Sequence, residues 1–172
     1  ALPFVIDGRD VLAKAQTGSG KTAALGIGLL TKLNQRNFGC QALILCPTRE
    51  LATQVADEIR KIARYQQNIK ILTLCGGQSI GPQIGSLEHG AHIVVGTPGR
   101  ISDHIRKGTL KLDSVNTVVL DEADRMLDMG FVDEIKDIIS HTPYDRQMLL
   151  FSATYPEGIE ALSKEFQHEP EE

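Results

Sequence analysis

The chain has 172 residues, 41% of them apolar and 23% charged, which suits one domain with a sizeable core. It has no run of eighteen apolar residues, and its start, ALPFVIDGRD, lacks the basic and apolar regions of a signal peptide, so neither a membrane span nor a leader is expected. The net charge of −4 excludes a domain that binds nucleic acid by bulk electrostatics, so any such contact must come from a few placed groups.

In chain order, six short apolar runs alternate with amphipathic stretches: 10–15, 42–47, 70–75, 92–97, 117–122 and 148–153. They are rich in Leu and β-branched residues and do not alternate with polar ones, the pattern of strands covered on both faces. Between them, Leu51, Val55, Ile59, Ile62 and Ala63 recur at helical spacing in 50–65, as do Phe131, Ile135, Ile138 and Ile139 in 131–140. Strand–helix alternation over residues 1–172 predicts one α/β domain with a mostly parallel central sheet between helical layers. Such sheets bind ligands beyond the carboxyl ends of their strands. The chain begins without Met and in mid-pattern, as expected of a piece of a longer protein. Its acidic end, EFQHEPEE, reads as a mobile connection.

Residues 15–22, AQTGSGKT, follow the first strand and open the first helix. They match the phosphate-loop pattern G-x-x-x-x-G-K-[ST] except that Ala15 stands for the first Gly. Gly18 and Gly20 would let the N–H groups of Ala15, Gln16, Thr17, Gly18, Ser19 and Gly20 turn around phosphate oxygens at a helix start. Lys21 would reach the outer phosphates, and the Thr22 hydroxyl would bind Mg²⁺. A plain Gly-rich turn with a surface lysine is the alternative.

The run TVVL leads straight into Asp121 and Glu122. Carboxylates at the end of an apolar strand need a positive partner, here Mg²⁺ with its nucleotide. This strand is expected beside the phosphate-loop strand, with Asp121 holding the metal partly through water and Glu122 polarising the attacking water. An acidic helix N-terminus is the alternative. Cys40, Cys46 and Cys75 lack metal or disulfide spacing and read as free thiols in a reducing compartment. His89 and His92 lack a third ligand at a familiar spacing and read as surface or structural histidines.

Asp121-Glu122-Ala123-Asp124 spells D-E-A-D, and the chain resembles the first RecA-like lobe of the DEAD-box ATP-dependent RNA helicases. AQTGSGKT, PTRELA (47–52), Gly76-Gly77, TPGR (97–100), DEAD (121–124) and SAT (152–154) occur in the family's order, and Ala15 is the family's usual residue. The segments CPTRELA, LCGGQ and DEADRMLDMGF are similar to the bacterial DbpA-type subfamily, which acts on ribosomal RNA.

The resemblance implies a three-layer RecA-like phosphate-loop fold, ATP as substrate, Mg²⁺ as cofactor and catalytic roles for Lys21, Asp121 and Glu122. It implies sequence-independent RNA backbone contact by Pro47, Thr48, Arg49, Gly76, Gly77, Thr97, Pro98, Gly99 and Arg100. Read alone, these segments are a Thr48-capped helix start, a turn, and a tight strand–helix turn. Ser152 and Thr154 are expected to bond Asp124 and couple nucleotide state to RNA, or else to satisfy local backbone groups. The upstream adenine-reading motif is not in these residues, nor is the second RecA-like lobe with its arginine fingers. The isolated lobe is therefore expected to be a weak ATPase. A monomeric, cytoplasmic protein acting in ribosome assembly is the further expectation. Another phosphate-loop hydrolase and an RNA-binding module without turnover are the alternatives; no N-K-x-D occurs to read guanine.

Overall fold

The computed structural model describes residues 8–14, 19–66 and 68–172. Strand β1 (Val11–Lys14) precedes helix α1 (Ser19–Lys32), β2 (Ala42–Leu45) precedes α2 (Arg49–Ala63), and β3 (Ile71–Leu74) precedes α3 (Ile80–Glu88). Then come β4 (Ile93–Gly96) with α4 (Pro98–Lys107), and β5 (Thr117–Leu120) with α5 (Ala123–Asp128) and α6 (Val132–Ser140). Strand β6 (Gln147–Ser152) and α7 (Glu157–Phe166) complete the order. Each expected apolar run falls on a strand.

The strands form one sheet in the order β1-β6-β5-β2-β4-β3, and every pairing is parallel. All residues of β2, β4, β5 and β6 are buried, while β1 and β3, at the edges, are partly open. Alternation within the strands feeds two cores. Leu43, Leu45, Val118, Leu120 and Leu150 face one, with Ile101, Met126, Ile135 and Ile159 from the helices that cover it. Ile44, Val95, Val119 and Leu149 face the other, against Leu25 and Leu29 of α1 and Val55 and Ile59 of α2. Each fully buried Leu or Ile contributes about 1.5–3 kcal/mol. The result is the expected α/β/α layering.

Two expectations need correction. Strand β5 does not lie beside β1; β6 runs between them, with Lys14 opposite Ser152 and Leu120 opposite Leu150. All six residues of β6 are buried, so it suits a position with a strand on each side, and β1, which opens to solvent at Ala13 and Lys14, suits the edge.

The acidic end is also held rather than free. Leu12 N–H donates to the Glu171 carbonyl (2.8 Å), Glu171 N–H donates to the Asp10 carbonyl (2.9 Å), and Gln167 Nε2 reaches the carbonyls of Val11 (2.7 Å) and Met148 (2.9 Å). Charge patterning concealed this because backbone groups at the β1 edge take most of these bonds, although Arg9 also pairs with Glu171. The buried Asp10 carboxylate accepts N–H bonds from Met148 (2.7 Å) and His168 (2.6 Å). Asp10→Ala leaves the buried Met148 N–H unpaired and frees the part-buried His168 N–H, and is expected to cost about 2 kcal/mol in chemical denaturation. Limited proteolysis should then cut near residue 168; wild-type stability and resistance would show that the carboxylate does not anchor this end.

Candidate functional site

Because every strand runs the same way, all carboxyl ends meet on one rim, and the strand order sorts the motifs along it. The phosphate loop, SAT and DEAD follow β1, β6 and β5; PTRE, TPGR and the glycine pair follow β2, β4 and β3. One half of the rim therefore carries the phosphate and carboxylate chemistry, and the other carries the backbone loops.

In the first half, Ala15, Gln16, Thr17 and Gly18 lie outside the described residues. Ser19 and Gly20 open α1, whose first turn has no acidic residue to offset its positive end. Lys21 reaches across the end of β6, and its Nζ donates to Asp121 Oδ1 at 2.5 Å. The side chains are 14% and 3% exposed, and Lys21 Nζ also lies 5.5 Å from the centre of the Phe151 ring. A carboxylate this buried needs hydrogen bonds or a close positive partner, and here Lys21 supplies both.

The donor set fits magnesium. Asp121 offers a carboxylate and the buried Thr22 a hydroxyl, both hard oxygen ligands. Among the described residues no cluster of three or more His, Cys, Asp or Glu could cage a metal. An ion here would complete its shell with phosphate and water oxygens, as Mg²⁺ prefers.

Glu122 has a left-handed backbone, φ 51° and ψ 52°, and is the N-cap of α5. A non-glycine residue in this conformation costs on the order of 1–3 kcal/mol, a strain that clusters at working sites. The carboxylate, on a side chain 18% exposed, lies 3.4 Å from Arg125 Nη1. Sequence patterning gave no sign of this backbone turn.

Asp124 follows. Thr154 Oγ1 donates to its Oδ2 at 3.0 Å, and its own N–H donates to Ser152 Oγ at 3.2 Å. Ser152 in turn donates to the Thr154 carbonyl at 2.5 Å. Burial opposes the charge on Asp124, but hydrogen bonding, that from the Thr154 hydroxyl foremost, outweighs it and holds the carboxyl below its ordinary range. Any stability this carboxylate supplies is present above its unfolded value and fades as pH falls through the lowered one.

In the second half, Pro47 is buried, Thr48 caps α2 by accepting the Leu51 N–H at 3.2 Å, and Arg49 is exposed. Gly76 and Gly77 are exposed, and Gly77 has φ 80°, where a side chain is strained; a Cβ there would lie 3.9 Å from Arg49 Nη1. Gly76 N–H donates to Thr97 Oγ1 at 3.2 Å, which joins the loops after β3 and β4. Pro98 is buried at the first position of α4, Gly99 is partly exposed, and Arg100 points largely inward with its side chain 15% exposed. Its Nη1 donates to the Gln78 carbonyl at 2.8 Å and to Gln83 Oε1 at 3.1 Å.

Gln83 and His104 escaped the sequence reading, since a Gln or His within a helical segment carries no pattern. His104 is fully buried, and burial, followed by the nearby Arg100, lowers its pKa. His92 is likewise buried and satisfied, accepting from Lys70 N–H at 3.0 Å and pairing with the Gln35 carbonyl at 2.9 Å. All three cysteines are buried and free, and burial pushes Cys40 up to about 12.

Comparisons with known proteins give the family of the chain. The DEAD/DEAH box helicase family model matches residues 1–162. The ATP-dependent RNA helicase DbpA of Escherichia coli (strain K12) is 59% identical over 170 residues, 99% of this chain and 37% of that protein. The DEAD-box ATP-dependent RNA helicase CshA of Geobacillus kaustophilus (strain HTA426) is 51% identical over the same share of this chain and 36% of its own length. The crystal structure of a DEAD box protein from the hyperthermophile Methanococcus jannaschii matches with a TM-score of 0.93 and 47% identity, over 99% of this chain and 46% of that one. The chain thus spans little more than a third of those two curated relatives. By family model, sequence identity and fold, it belongs to the DEAD/DEAH box helicases.

Proposed function

We propose that this chain is the ATP-binding lobe of an ATP-dependent RNA helicase, which couples Mg-ATP binding and hydrolysis to local unwinding of RNA duplexes or remodelling of ribonucleoprotein. The observation that carries the reading is the buried Lys21–Asp121 pair, 2.5 Å apart on the rim that also bears Arg49, Gly76, Gly77 and Thr97. Without nucleotide, Lys21 neutralises Asp121. With nucleotide, Lys21 serves the phosphates, while Asp121 and Thr22 hold Mg²⁺, which supplies charge neutralisation at the phosphates.

The remaining roles follow from position. Glu122, presented by its left-handed backbone, orients and deprotonates the attacking water. Asp124 ties this corner to Ser152 and Thr154, so a shift at the nucleotide moves the end of β6. The loops after β2, β3 and β4 offer N–H groups and Arg49 to an RNA backbone, a contact that positions a strand without reading bases. A second RecA-like lobe in the full-length protein completes both sites, and its arginine fingers contribute about 10³-fold or more to turnover. The test compares lengths. The full-length protein is expected to show RNA-stimulated ATP hydrolysis, and residues 1–172 alone little; robust RNA-stimulated turnover by the lobe alone would sink the two-lobe reading.

A further inference from the structure

Behind the loops of the second half lies a closed chain of polar side chains that touches no nucleotide residue. Gln83, on α3, is buried, and its amide makes three hydrogen bonds, two at the oxygen and one at the nitrogen. Its Oε1 accepts from Arg100 Nη1 (3.1 Å) and His104 Nε2 (2.8 Å), and its Nε2 donates to the Cys75 carbonyl at the end of β3 (3.2 Å). The reverse amide orientation would set an N–H₂ against the guanidinium and an oxygen against a carbonyl, so the network fixes it. Because Oε1 can only accept, His104 carries its proton on Nε2, and Nδ1 faces Thr109 Oγ1 at 2.8 Å.

We propose that Gln83, backed by His104, is a positioning residue for RNA binding: it aims Arg100 at the Gln78 carbonyl and so sets the loop at 76–79 against Thr97. Arg100 Nη1 bridges the Gln83 oxygen and the Gln78 carbonyl, and Thr97 Oγ1 receives the Gly76 N–H. Two loops from different strands are thereby fixed as one surface, with Gly76, Gly77 and Arg49 outward. Hydrogen bonding to a phosphodiester tolerates errors of only about 0.5 Å, so a loop released from behind loses affinity although every exposed group remains. Gln83 acts through these groups and does not touch the RNA.

The inference rests on the RNA-helicase reading, and the experiment separates the two. In the full-length protein, ATP turnover is followed against poly-uridylate, with ADP affinity as the reference. Gln83→Met, which keeps volume and loses all three hydrogen bonds, is expected to raise the RNA concentration for half-maximal turnover about tenfold. The turnover at saturating RNA and the ADP affinity should stay within about twofold of wild type. Gln83→Glu, which keeps the acceptor for Arg100 and His104 but sets an oxygen against the Cys75 carbonyl, should recover part of the loss. If Gln83→Met does not fold, His104→Leu against His104→Gln gives the same contrast, since Gln restores a donor at the Nε2 position. Lower thermal stability with wild-type RNA dependence would reduce Gln83 to a packing residue and overturn the proposal. A wild-type protein whose turnover ignores RNA would instead remove the helicase reading, and this inference with it.

Discussion

Lys21→Met is expected to destabilise the fold by about 3 kcal/mol and to abolish nucleotide binding. The stability loss arises because Asp121, 3% exposed, is left as an uncompensated buried carboxylate at the end of a fully buried strand. The pair itself is worth little beyond its mutual neutralisation, since two desolvated charges roughly offset their own attraction. Adding Asp121→Asn to the variant should therefore recover most of the stability. It should not recover nucleotide binding, because the phosphates lose their cation and the metal its carboxylate. Denaturation curves of the two single variants and the double variant give the coupling directly. Additive losses would show that the two side chains do not depend on each other.

Glu122→Gln has the second large effect, and it is confined to chemistry. The amide keeps the size of the side chain and occupies the same backbone conformation, and the Arg125 contact it weakens is a half-exposed pair worth under about 1 kcal/mol. Stability and nucleotide affinity should hardly move. Hydrolysis in a single turnover is expected to fall by about 10²–10⁴-fold, the range for loss of a general base. The ATP-bound protein should then retain RNA longer than wild type, because hydrolysis is what ends the clamped state. Unchanged turnover would take Glu122 out of the reaction.

Much of this was legible in the residues, for definite physical reasons. Strands buried on both faces must be apolar throughout, so TVVL and MLLF announced β5 and β6 without any knowledge of their neighbours. Motif residues sit where each strand ends, and parallel pairing then brings those ends to one rim. Strand order was not legible, because it depends on which edges must be covered rather than on any local pattern; β6 between β1 and β5 was missed on that account. The docking of residues 167–171 on β1 was hidden for the same reason, being made largely by backbone groups, with the Gln167 amide, the Asp10 carboxylate and an Arg9–Glu171 ion pair. Glu122's left-handed backbone and the inward turn of Arg100 are tertiary outcomes: the first needs β5 and α5 in place, and the second needs Gln83 from another helix.

The most direct measurement is a calorimetric titration of Mg-ADP into the Lys21→Met, Asp121→Asn double variant beside wild type. A folded double variant with no detectable binding, against clear binding by wild type, is the expected result. Wild-type affinity in the double variant would place the nucleotide elsewhere and contradict the assignment of this rim.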